Sequence, residues 1–228
     1  SFVEVIPGEP GPTTTFSSIL NTWAHVAVNR TSGNTSLFLN GNQLTSAAQT
    51  TNFSATQTLY IGTSPSENYI GGYISNLRIV KGTGLYTANF TPSTTPLTAV
   101  LNTSLLTCQS FKYLDNSTNV ATITPNGTPS VRRFQPFSPP KIYTPALYGA
   151  SAYFDGSGDY LALPTVATCP IGDFGTSDFT VEFYMNASAA GTYVTVVGTQ
   201  SISGYSTAGI WRCRSEEHTS ELQSRETI

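Results

Sequence analysis

Few side chains in this sequence can do chemistry, and they are scattered. The 228 residues include 13 carboxylates, 10 Lys or Arg and two His, with charged residues at 10% of the total. Cleaving a glycosidic bond takes two carboxyl groups facing each other across a cleft, one as acid and one as nucleophile or base. Glu182 is the lone carboxylate of the strand-like segment Phe179 to Asn186, so it is expected to be a solvent-facing polar residue on the face opposite Val181 and Phe183. His25 lies in the alternating stretch Trp23 to Val28, and no Ser or Cys in a strained elbow accompanies it. It is expected to be a strand histidine with an ordinary hydrogen-bond partner, and no catalytic residue is assigned. One such histidine and separated cysteines cannot close a nitrogen or sulfur metal site. Hard oxygen donors remain: Asp155 and Asp159 in a glycine-rich turn, and Asp173 and Asp178 in the loop 172–178. Aspartates in turns also commonly bond their own backbone. For ligand contact the candidates are Tyr69, Tyr73, Tyr86 and Trp211, the aromatics nearest to loop or glycine-rich sequence, because aromatic faces stack on sugar rings.

These residues need a scaffold, and the composition describes one. Thr, Ser, Gly and Asn are abundant, aromatics reach 11%, and no long Leu/Ala/Glu/Lys stretch occurs, which is the profile of an all-β protein with many turns. Asn40-Gly41 between alternating segments predicts a hairpin, since both central turn residues need positive φ. Leu59 to Gly62 reads as a short buried strand and Tyr73 to Val80 as a longer one, with Tyr73, Leu77 and Ile79 inward and Asn76 and Arg78 outward. Lys81 to Pro96 breaks the regularity. Further strands are expected at Leu105 to Cys108, Ala152 to Phe154, Tyr160 to Leu163, Tyr193 to Val197 and Tyr205 to Trp211. The clearest is Phe179 to Asn186, which alternates strictly over eight residues. Cys108 and Cys169 are expected to be separate thiols rather than a pair. The net charge is −3 and basic residues stand singly apart from Arg132 and Arg133, so neither nucleic acid nor membrane insertion is expected.

Taken together, Trp23 to Val28, Leu37-Phe-Leu-Asn-Gly41, Leu59 to Gly62 and Gly72 to Ile79 resemble the C-terminal half of laminin-G-like, concanavalin A-like jelly-roll domains. Ala152 to Leu161 and Asp178 to Phe183 resemble the N-terminal half of the same domain. The resemblance implies an antiparallel β-sandwich, here assembled from two complementary half-domains in permuted order. Residues 1–97 would be the end of one repeat, 98–103 a junction, and 104–213 the beginning of the next. It also implies that calcium, the one cofactor to consider, would be held at a sandwich rim by Asp155, Asp159, Asp173 and Asp178. The E-x-D-x-x-E run of the family's hydrolases is absent. Residues 214–228 form a separate tail, because Arg214 to Ser224 resembles a translated sequencing adapter and the tail holds four of the eight glutamates. The phrase Gly82-Thr-Gly-Leu-Tyr-Thr-Ala-Asn-Phe-Thr-Pro92 resembles tail-fibre and adhesin-like surface proteins. The expected function is therefore a non-catalytic module on a virion surface or outside the cell, binding host-surface glycans and neighbouring repeats of its own chain. A purely structural spacer and a glycoside hydrolase with its carboxylates elsewhere are the two alternatives.

Overall fold

The computed structural model describes residues 2–5, 13–15, 20–53, 58–63, 69–137, 149–165, 167–188, 194–199 and 212–216. Among them every regular element is a strand except for one 3-10 turn, Pro170–Gly172. The strands are β1 (Phe2–Val5), β2 (Thr13–Thr15), β3 (Ala24–Thr31), β4 (Asn34–Leu39), β5 (Asn42–Ala48), β6 (Leu59–Ile61), β7 (Gly71–Lys81) and β8 (Thr103–Thr107). They continue with β9 (Thr124–Asn126), β10 (Ser130–Arg132), β11 (Ser151–Asp155), β12 (Tyr160–Ala162), β13 (Phe179–Ala187), β14 (Val194–Thr199) and β15 (Arg212–Glu216).

They form two antiparallel sheets. One runs β2-β1-β15-β14-β6-β12-β9, and the other runs β10-β11-β7-β13-β3-β4-β5 with β8 also paired to β7. Between them lies a single large core, to which the second sheet contributes Val26, Val28, Leu77, Ile79, Val181 and Phe183, and the first Leu59, Ile61, Leu161 and Val197. The chain is thus an all-β antiparallel sandwich. The two sets of strands interleave: β13 lies between β3 and β7, and β6 lies between β14 and β12. Neither set completes a sheet alone, because each would leave ladder groups open at its edges.

Asn40 and Gly41 take φ values of 49° and 79°, as the hairpin between β4 and β5 requires. Cys108 and Cys169 are both free thiols, and burial pushes the first up to about 12, with a hydrogen bond involving Thr107 opposing. The predicted strand Tyr205 to Trp211 lies outside the described residues. Arg214 to Glu216, placed by sequence in a separate tail, belong to β15, which pairs with β14 and β1.

Strand β7 departs from simple alternation. Ile74 and Leu77 are both fully buried in the core, three positions apart, because Asn76 sits at φ 53° and inserts a bulge. Asparagine tolerates this left-handed conformation better than most residues. The extra residue reverses the expected facing of Tyr73, which points away from the core and pairs with Tyr153. Its amide fixes the bend: Oδ1 accepts from Leu97 N at 2.8 Å and from Gln109 Nε2 at 2.7 Å. Before the bend β7 pairs with β11, and beyond it with β8. Asn76 and Arg78, expected to face solvent, are both buried.

Because β13 needs neighbours from the other set on both sides, residues 1–97 and 104–213 prepared as separate fragments are expected to lack β structure and to regain it on mixing. Far-ultraviolet circular dichroism of each fragment and of the equimolar mixture checks this, and a folded lone fragment would refute it.

Candidate functional site

The alternating pattern of β13 places Thr180, Glu182, Tyr184 and Asn186 on the outer face of the larger sheet. That face is covered. The irregular segment 82–98 crosses it as a roof, and its attachment points are side chains of the strands beneath. Thr180 Oγ1 accepts from Leu85 N at 2.9 Å, Asn29 bonds both backbone groups of Tyr86, and the Tyr184 hydroxyl donates to Ser93 O. Tyr86 and Phe90 stack at 3.6 Å between ring centres, and Phe90 also lies against Phe38 and edge-on to His25. The roof reaches the hairpin, where Phe90 N donates to Gly41 O at 2.9 Å. A Cβ at position 41 would meet that Phe90 carbonyl at 1.9 Å, so glycine is needed there for room as well as for its φ.

Under the roof Glu182 is 0% exposed, which corrects the expectation of a solvent-facing residue. Its Oε1 accepts from Arg78 Nε at 2.7 Å and faces Arg78 Nη2 at 2.5 Å. Its Oε2 accepts from the Tyr86 hydroxyl at 2.7 Å and from His25 Nε2 at 3.0 Å. Since both Glu182 oxygens accept, His25 Nε2 is the donor of that bond. Arg78 Nη1 donates onward to Thr98 O at 2.6 Å. Burial pushes the Glu182 carboxyl up, but the His25 hydrogen bond, the charges of Arg78 and His25 and the Tyr86 hydroxyl outweigh it and leave it below the usual carboxylate range. Burial and the adjacent Glu182 charge push the Tyr86 phenol well up. The cluster therefore acts as a fixed anion with three donors.

Open space lies instead at the sandwich rim where β7 ends. One cavity, of about 670 Å³, is lined by polar groups including Asn102, Ser104, Asn119 and Thr122, and by Cys169. A second, of about 590 Å³, is lined by Asn52, Asp173 and Ser177 among others. Lys81 borders both. Its Nζ donates to Pro170 O at 2.6 Å, and burial holds its ammonium below the ordinary value, with the charges of Asp173 and Cys169 opposing. Arg30 shapes the second cavity from beneath. Its guanidinium lies over Phe53 and Phe179 and donates to Thr51 O, Gly175 O and Ser177 O, holding the loop 175–177 in place. Periodicity gave no signal for these lining residues, because they come from loops and strand ends far apart in sequence.

The candidate oxygen ligands divide into two places. Asp159 is buried, with Oδ1 accepting from Thr128 N at 2.5 Å and Oδ2 from Asp155 N at 3.2 Å, while Asp155 Oδ1 accepts from Ser157 N at 2.7 Å. Asp178 Oδ1 accepts from Ser32 N at 2.9 Å, and Asp173 lines the second cavity. Among the described residues no three His, Cys, Asp or Glu side chains gather as a metal would need. The aromatic candidates separate as well. Tyr69 stacks with Tyr160 at 6.4 Å, Tyr73 sits among Trp23, Phe134 and Tyr153, Tyr86 belongs to the roof, and Trp211 lies outside the described residues.

One comparison bears on the N-terminal part of this scaffold, from β3 through the Asn-Gly hairpin to β7. Residues 8–83 match the family model of the concanavalin A-like lectin/glucanases superfamily. The matched segment is about a third of the chain. The matched strands β3 and β7 flank β13, which lies outside the match. The segment also supplies His25, Arg78 and Lys81, while Glu182 and Asp173 come from beyond it. No curated protein and no solved structure gives a match.

Removing the Glu182 carboxylate strands a buried arginine, so Glu182→Ala is expected to cost about 3–5 kcal/mol in a urea titration. The native carboxyl holds its proton more weakly than the unfolded one, so stability from this group is complete above the unfolded value of about 4.3 and is lost as pH falls through the native value. Glu182→Gln is accordingly expected to be less stable at pH 7 and to lose less stability below pH ~4 than the parent. Parallel acid titrations of the two would show this, and equal slopes would refute it.

Proposed function

We propose that this chain is a non-catalytic carbohydrate-binding module that takes glycans in the rim cleft on either side of Lys81. The observation that carries this reading is the cleft itself: two cavities that both border Lys81, whose amide and hydroxyl groups can hydrogen-bond sugar hydroxyls while Val120, Ala121, Pro164 and Ile171 give the first an apolar wall. Their volumes fall within the ~300–1,000 Å³ common for small-ligand sites. Membership of residues 8–83 in a superfamily of lectins and glucanases supports the same ligand class.

The hydrolytic alternative would need carboxylates from outside this sequence. Glu182, the carboxylate on the sheet face, could not serve as one, because its oxygens are taken by Arg78, Tyr86 and His25 beneath the roof. Placement on a virion or another extracellular surface, with repeated modules raising avidity through effective concentration, is the biological setting we propose. A rim held by calcium belongs to the same proposal, with Asp173 the candidate beside the cleft. A spacer without a ligand is the competing reading.

A glycan array probed with the purified chain is expected to give a defined set of bound glycans. Lys81→Gln and Asn119→Ala are each expected to weaken that binding about tenfold, or about 1.4 kcal/mol, with the melting temperature little changed. An array without hits would favour the spacer, and undiminished binding by both variants would move the site away from the rim.

A further inference from the structure

The exposed cations whose side chains are described lie close together in the fold. Among the residues whose side chains are described, Arg30 and Arg78 are buried and Lys81 is half-buried at the rim, whereas Lys112, Arg132 and Arg133 are exposed. Arg132 ends β10, the edge strand of the larger sheet, and its guanidinium lies 5.6 Å from the centre of the Tyr153 ring. Arg133 lies 5.8 Å from the centre of Phe111, and Lys112 follows that ring in sequence. From Tyr153 the rings continue across the outer face, with Tyr73 at 4.9 Å, Phe134 4.8 Å beyond it and Trp23 5.3 Å from Phe134. These are not all core residues. Phe134 is 48% exposed and Phe111 42%, the reverse of what burial alone would give large apolar rings.

The described carboxylates point elsewhere. Glu182 is under the roof, Asp173 and Asp178 are near the rim, and Asp115 is turned into its own loop by bonds from Leu106 N, Ser117 N and Ala121 N. Arg132 pairs with Ser151 but reaches Tyr153 with its guanidinium, and Asp155, two residues beyond that ring on the same face, is turned to its own loop, its Oδ1 accepting from Ser157 N at 2.7 Å. The surface is therefore aromatic and cationic at once. A ring face receives the C–H face of a sugar, and a guanidinium fixed beside it meets a carboxylate or sulfate with two parallel hydrogen bonds.

We propose that this surface, formed by the β10–β11–β7 end of the larger sheet and centred on Arg132, Arg133 and Phe134, binds acidic polysaccharide, a sugar chain bearing carboxylate or sulfate groups. It rests on the carbohydrate-binding reading for its ligand class but occupies a different surface from the rim cleft. Single-stranded nucleic acid also takes stacked rings and cations. Three exposed cations on a chain of net charge −3 suit a sparsely charged polysaccharide better than a phosphate on every unit.

The test passes the full chain through native gels containing polygalacturonate, dextran sulfate, neutral dextran or poly(dT). Retardation is expected with polygalacturonate, dextran sulfate or both, weakening as salt is added, and the two polymers separate carboxylate from sulfate recognition. Both substitutions of R132Q/R133Q are at exposed positions, and the variant is expected to bind the acidic polymer about tenfold more weakly at an unchanged melting temperature. F134A, which leaves the charges in place, is expected to bind more weakly too. Wild-type binding by R132Q/R133Q, equal retardation by neutral dextran, preference for poly(dT), or no retardation by either acidic polymer would overturn the proposal. Because R132Q/R133Q leaves the rim untouched, its binding on the glycan array separates failure of this site from failure of the module reading.

Discussion

The structure depends on one buried carboxylate. Glu182 draws together β13, β3 through His25, β7 through Arg78, and the roof through Tyr86. An ion taken out of water costs several kcal/mol unless its lone pairs are met by good donors, and here each oxygen receives two polar contacts. None of these partners can be dropped cheaply, so the cluster ties the register of the central strands to the path of a segment without regular structure. Apolar residues would bury as well, but they would not select which tyrosine or which carbonyl lies above them. In this sheet the polar cluster specifies position, and the apolar core on the other face supplies most of the stabilisation.

Much of this architecture was legible in the sequence, and the failures share a cause. The strict alternation of Phe179 to Asn186 announced β13, and Asn40-Gly41 announced its hairpin, because both are signals carried within a few residues. The same alternation suggested that the polar face of β13 meets water. It does not, because the roof that covers it is an aperiodic run of Gly, Thr, Asn and Pro whose path is set by long-range hydrogen bonds. Likewise the bulge at Asn76 reverses the facing of Tyr73 through one φ angle, which no spacing rule reveals. Strands β9 and β10 have three residues each, too few for any period.

Covering the outer face of the larger sheet also decides where a ligand can bind. A sandwich with an open sheet offers a broad floor, whereas here that floor is occupied by Tyr86, Phe90 and the backbone of the roof. Accessible chemistry is displaced to the periphery, to the rim around Lys81 and to the edge strand carrying Arg132. The rim was hard to anticipate because its lining residues come from scattered loops and strand ends. The Arg132-Arg133 pair was visible as the only adjacent basic residues, but the rings beside it were not, since Tyr73 and Tyr153 come from other strands.

The placement of β13 also bears on how the chain reaches this state. His25 and Glu182 are 157 positions apart, and β3 has no partner on that side until β13 has been made. Contacts of such high sequence separation form slowly, because the connecting chain must be ordered before they return any stabilisation. On the ribosome β3 and β7 would emerge unpaired along their shared gap, and they would remain so until Phe179–Ala187 had been made. The order of the strands thus creates a long interval in which two adhesive ladders are exposed to neighbouring nascent chains.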